Sequence, residues 1–238
     1  MKKTLVHLLL LPLVLITACG QTAAVIDPGD GGTYSFELTP ADFVAEIDNP
    51  YLPLAVGARW VYEGSGERTV VEVLPETRVV MGITATVVRD TVTEDGELIE
   101  DTYDWFAQDV EGNVWYLGEE SVEYQNGEPV STAGSWESGI DGALPGIAMP
   151  ALPAVGQAYR QEYYLGEAED MAEVARFEDS LSVALGDFSG VLVITEWTPL
   201  SPRTVEEKLY AAGVGMIKEQ AVRGGSGSAE LIEFTLGG

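Results

Sequence analysis

The sequence predicts a mainly β fold: a single antiparallel curved sheet, or an open half-barrel meander, with one short N-terminal helix. Three observations carry this expectation. Runs rich in Val, Thr, Tyr and Trp alternate with Gly-containing turns from Arg59 onward. Turn signals recur at Glu94-Asp95-Gly96-Glu97, Asp109 to Asn113 and Gln125-Asn126-Gly127-Glu128, the punctuation of an antiparallel meander. Val191-Leu192-Val193-Ile194-Thr195 is a continuous apolar run, suited to a central strand.

In chain order, residues 1–18 read as a lipoprotein signal peptide. Met1-Lys2-Lys3 is a positive n-region, and Leu5 to Ile16 is almost wholly apolar. A secretory h-region runs ~7–15 residues, whereas a membrane span needs ~20. The stretch ends in Ile16-Thr17-Ala18-Cys19-Gly20, which resembles the lipobox of bacterial lipoproteins. Cys19 is the expected lipidation site, and acyl chains at ~0.8 kcal/mol per buried methylene would hold the protein to a bilayer. Residues 19–35, rich in Gly, Pro and Asp, read as a lipidated flexible tether. Residues 36–238 read as one antiparallel β domain, long enough for a substantial core.

Within the domain, Thr39-Pro40-Ala41-Asp42 offers an N-cap, a proline at the first helical position and an early acid. A helix of about two turns is expected there, stopped by Asn49-Pro50. Strands are expected at Arg59–Glu63, Thr69–Val73, Arg78–Met81, Thr84–Arg89, Leu98–Gln108 and Val114–Leu117. Asp95-Gly96 favours a type I′ hairpin. Trp136 to Gly156 carries three prolines and four glycines without hydrophobic period, and is expected as a long loop over the concave face. Strands resume at Ala158–Tyr164, Val191–Thr195, Thr204–Tyr210, Gly215–Val222 and Ala229–Thr235.

Two segments, Val183-Ala184-Leu185-Gly186-Asp187-Phe188-Ser189-Gly190-Val191 and Tyr210-Ala211-Ala212-Gly213-Val214-Gly215-Met216-Ile217-Lys218-Glu219, together with the opening from Asn49 to Tyr62, resemble a family of bacterial secreted and envelope lipoproteins without assigned activity. The resemblance implies an open, curved antiparallel sheet. Its motifs are turns and strands, so it implies no functional residue.

Composition excludes several chemistries. The chain has 238 residues, 39 Asp and Glu against 12 Lys and Arg, one His and one Cys, with a formal net charge of −27. Cleavage before Cys19 would also remove the only histidine, His7. A chain so processed has no Ser-His-Asp triad, Cys-His pair, His-liganded zinc or CxxC pair. The negative charge opposes binding to nucleic acid.

Three candidate sites remain. Glu167, Glu169, Asp170 and Glu173 place four acids in seven residues, a hard-oxygen set suited to calcium, although no EF-hand loop is present. No other cofactor is expected. Trp105, Trp115 and Trp136 are candidates for a ligand-binding face. Asp101, Asp104 and Asp109 near Trp105 and Trp115 would suit a carboxylate-based glycan hydrolase. The expected function is a non-enzymatic, membrane-anchored envelope lipoprotein that binds a small molecule or protein partner under the 137–156 loop. The alternatives are a calcium-binding acidic module and a glycan hydrolase. The expected location is the extracytoplasmic envelope, at the outer membrane if the host has one.

Overall fold

The computed structural model describes Pro28 and residues 33–238; the signal peptide, Cys19 and most of the tether lie outside the described residues. The strands are β1 (Arg59–Gly64), β2 (Glu67–Val80), β3 (Ile83–Glu94), β4 (Glu97–Gln108), β5 (Val114–Gln125), β6 (Glu128–Ser131) and β7 (Trp136–Glu137). They continue as β8 (Gly146–Met149), β9 (Ala158–Arg160), β10 (Met171–Val183), β11 (Gly186–Trp197), β12 (Val205–Ala211), β13 (Gly215–Arg223) and β14 (Ser228–Thr235). All belong to one antiparallel sheet in the order β6-β5-β4-β3-β2-β1-β14-β13-β12-β11-β10-β9, with β7 and β8 also pairing β5. The chain therefore makes two meanders. The first runs outward from β1, and the second starts at the far edge and returns until β14 pairs with β1.

The turns follow the local chemistry. Ser65-Gly66, Met81-Gly82, Asp95-Gly96 and Asn126-Gly127 have positive φ at both central residues, the type I′ geometry that matches strand twist. Register slips in several pairs, including Asp104/Phe106 in β4 and Leu209/Tyr210 in β12. Such bulges bend strands and re-aim side chains. The two ends of the sheet approach one another. The Leu144 amide donates to the Tyr163 carbonyl at 2.8 Å, yet this is a single bridge and the sheet stays open.

Burial divides between the two faces. Trp60, Tyr62, Val88, Leu192, Ile194 and Ile217 belong to the main core. On the other face of the first meander, Ile83, Val87, Trp105, Trp115 and Leu117 form a second cluster, covered by Leu38 and Phe43. Phe36 joins this cover, its ring 4.5 Å from that of Trp115. Packing begins as early as Tyr34, whose hydroxyl donates to the Pro145 carbonyl at 2.9 Å.

Three expectations are corrected, and one strand not expected is added. The two-turn helix is a single 3-10 turn, Pro40–Asp42. Phe43 instead bridges Asp109, and the Val44 amide donates to the Gln108 carbonyl, so pairing with the sheet replaces the next helical turn. The 136–156 segment is not wholly loop, because β7 and β8 satisfy the free edge of β5. β10 escaped the sequence reading because Glu173, Arg176, Glu178 and Asp179 interrupt its alternation. β2 is continuous through Pro75. The proline is tolerated because it lies beyond the end of β1 and inside a register slip against β3.

Candidate functional site

The concave face keeps an open cleft of about 240 Å3 between the two meanders. Alternation along the strands decides what lines it. In β4, Asp104 and Phe106 face the cleft while Trp105 faces the outer cluster. In β12, Lys208 and Tyr210 face it, and in β11 Glu196 does. Gln161, Glu162 and Asp170 close one side, and Leu52 and Ala148 supply apolar wall.

The polar groups are largely paired with one another. Lys208 Nζ lies 2.7 Å from Glu196 Oε2, and Gln161 Nε2 donates to Glu196 Oε1 at 2.9 Å. The Tyr116 hydroxyl lies 2.5 Å from Asp104 Oδ1 and 3.0 Å from Glu119 Oε2. Its ring stacks on Phe106 with centroids 4.8 Å apart. Among the described residues, the buried side-chain atoms without a hydrogen-bond partner include the Tyr159 hydroxyl and Asp90 Oδ1.

Crowding of acids around one lysine sets the electrostatics. Burial pushes Asp104 up to about 6, against the hydrogen bond from Tyr116 that favours its charged form. Burial, with the charge of Asp104, pushes Glu119 up to about 7. Asp90 rises to about 8, from burial and then from Asp104 and Glu100. Burial and Asp170 hold Glu162 well above the usual carboxylate range, and burial raises Asp170 as well. Lys208 is held strongly charged, since Glu196 and Glu219 outweigh its burial. Its side chain remains 30% exposed, so the enclosure is a hollow that water reaches rather than dry core. The cleft thus stores protons on carboxyls that elsewhere would be ionised.

The sequence candidates are scattered. Trp105 sits in the outer cluster with the Arg78 guanidinium 3.7 Å above its ring. Trp115 donates to Asp109 Oδ2 at 2.8 Å. Trp136 is buried edge-on against Tyr116, behind the cleft wall. Of the four acids at 167–173, Asp170 alone lines the cleft. Glu167 is exposed, Glu169 accepts from the Gly166 amide, and Glu173 lies on β10 opposite Ala158. Among the described residues no three acids gather closely enough to hold a metal ion. Asp101 is held by Arg89 at 2.7 and 2.9 Å, and Asp109 accepts four hydrogen bonds from Glu111, Asn113 and Trp115. A wider groove of about 480 Å3 lies beside Asp109, between residues 36–43 and the 109–113 turn. The hydrogen bonds of Asp109 are already spent on that turn and on Trp115 of β5.

Tyr116, Glu119, Glu162, Glu196, Lys208 and Tyr210 were not singled out as a site by the sequence. One signal was present: Lys208 is one of few lysines in a strongly acidic chain, and strand alternation puts it on one face with Glu206 and Tyr210.

No protein-family model matches the chain. No curated protein matches its sequence. Among solved structures, a protein from Bacteroides fragilis described as exported and of YmcC-like fold is similar, with 12% identity and a TM-score of 0.45, over 78% of this chain and 99% of that one. A protein from Parabacteroides distasonis described as a lipoprotein is also similar, with 12% identity and a TM-score of 0.43, over 79% of this chain and 99% of that one.

Proposed function

We propose that the protein is an envelope lipoprotein, anchored through Cys19, whose β domain binds a small polar ligand in the concave cleft. The observation that carries the binding reading is the open volume of about 240 Å3 where the two meanders face each other, walled by charged and phenolic side chains. A volume of this size takes about eight waters at ~30 Å3 each, or a ligand of a few carbons. The lipobox supports the anchor.

Two experiments test this reading. Labelled palmitate should be incorporated by the wild-type chain and not by Cys19→Ser. Thermal melting of the full chain with putrescine, succinate or glucose should shift for at least one probe. Ala148→Trp, which fills the cleft from β8, should abolish that shift. No shift with any probe, or a shift indifferent to Ala148→Trp, overturns the cleft as the binding site.

A second reading, hydrolysis of an envelope glycan, draws on two carboxyls whose protons are held more tightly than usual, Asp104 in the cleft lining and Glu119 behind it. Trp105 and Trp115 face the other side of the sheet, so neither offers a sugar a stacking platform there. Release of reducing ends from purified envelope glycan, lost in Asp104→Asn, would favour hydrolysis over simple binding.

A further inference from the structure

We propose that the ligand of the concave cleft is a small organic ammonium ion, bound in exchange for protons held by the cleft carboxyls; this rests on the cleft being the binding site.

The first argument is charge. Asp104, Glu162, Asp170 and Glu196 line the cleft, and Lys208 is the one cation among its lining residues. Lys208 is already satisfied by Glu196. The remaining carboxyls have no cation of their own in the lining. More carboxyl groups stand behind them: Asp90 on β3, Glu100 on β4, Glu119 on β5, Glu206 on β12 and Glu219 on β13. The phenols Tyr116 and Tyr210 line the cleft as well, both held neutral by burial. An anion would meet this field unfavourably. A cation would relieve it.

The second argument is independent of the acids. Tyr159 is 7% exposed, its hydroxyl has no partner, and it belongs to the same buried cluster as Tyr210, which lines the cleft. A buried hydroxyl without a partner is unfavourable, so a ligand or water that bonds it relieves that cost.

The third argument separates an organic cation from a metal. Calcium needs six to eight oxygens at about 2.3–2.6 Å. Among the described residues the carboxyls do not converge in that way; they stand around an open volume. An ammonium group on a short carbon chain suits this spread. Its N–H groups reach single oxygens, while Leu52, Phe106 and Ala148 contact the chain, with the Phe106 ring available to the cation.

Calorimetry on the full chain in detergent tests the inference. Putrescine and succinate have the same chain length and opposite charges. At neutral pH, putrescine should bind one per chain, and its heat should differ between phosphate and Tris in proportion to the protons released. Succinate should give no heat of binding. Glu162→Gln and Asp170→Asn should each weaken putrescine at least tenfold and reduce proton release. Ala148→Trp leaves the net charge unchanged, so loss of binding in that variant distinguishes the cleft from general attraction to an acidic surface. Succinate or glucose bound by the wild type and lost in Ala148→Trp, with putrescine inert, overturns the charge inference and leaves the cleft reading standing. Putrescine bound without proton release overturns the exchange. Absence of binding by all three overturns both.

Discussion

Glu119 Oε2 lies 3.0 Å from the Tyr116 hydroxyl, while that hydroxyl also lies 2.5 Å from Asp104 Oδ1. A phenol has one proton to donate. The shorter contact takes that proton to Asp104, so the longer one closes as a full hydrogen bond only while Glu119 carries a proton of its own. Cross-strand pairing of Asp104 with Glu119 brings the two carboxyls together, and burial keeps Glu119 protonated up to about 7.

That arrangement gives an inverted pH dependence. Asp104, Glu119 and Asp90 have folded-state pKa values of about 6, 7 and 8, above their ordinary values of 3.8, 4.5 and 3.8. The folded chain therefore binds more protons than the unfolded chain between about pH 4 and 8, and stability falls as pH rises through that window. Urea midpoints should be higher at pH 5 than at pH 8. Glu119→Gln keeps a donor for Tyr116 and removes one contribution. It should stabilise by on the order of 1 kcal/mol at pH 8, discounted for partial exposure, with little change at pH 5. Equal effects at both pH values would contradict a protonated Glu119.

Lys208 and Glu196 should behave as a unit. Lys208→Met leaves Glu196, only 10% exposed at its side chain, without its cation, and should cost roughly 2–3 kcal/mol in urea unfolding. Adding Glu196→Gln should recover at least half of that loss. Additive losses in the double-mutant cycle would show that the pair is not coupled.

Gly146 is fixed by space rather than by backbone angle. A Cβ there would fall 2.0 Å from the Gln161 carbonyl oxygen, where β8 passes the segment following β9. Gly146→Ala should cost ~3 kcal/mol or more, lowering Tm by roughly 6–12 °C in a domain of this size. A Tm within a degree or two of wild type would show that this approach of the two sheet ends is dispensable.

Asn49 fastens the loops at one end of the sheet. Its Nδ2 donates to the Gly112 and Pro150 carbonyls at 2.9 and 3.2 Å, and its Oδ1 accepts from the Tyr51 amide at 2.9 Å. Asn49→Ala should destabilise by about 2 kcal/mol, since buried carbonyls lose their donor. Amide exchange of residues 109–113 and 150–152 should accelerate before that of β11. Uniform acceleration across the sheet would contradict a local fastening role.

The sequence by itself determined the β class, the meander and the hairpin positions. Asp95-Gly96 and Asn126-Gly127 carry their turn geometry in their own φ preferences, and the 191–195 run is apolar whatever surrounds it. Such signals are local, and so legible. Tertiary structure decided the rest. Pro40–Asp42 begins as a helix would, but Phe43 and Val44 find partners on Asp109 and Gln108, far along the chain. β7 and β8 are strands because the β5 edge is there to be paired. The tryptophans that suggested a binding face are core, and the cleft belongs to Asp104, Glu162, Asp170, Glu196 and Lys208. Register and bulges choose which of two faces each side chain takes, and a slip of one residue would send Asp104 outward and Trp105 in. That choice depends on every neighbouring strand, so no local stretch of sequence contains it.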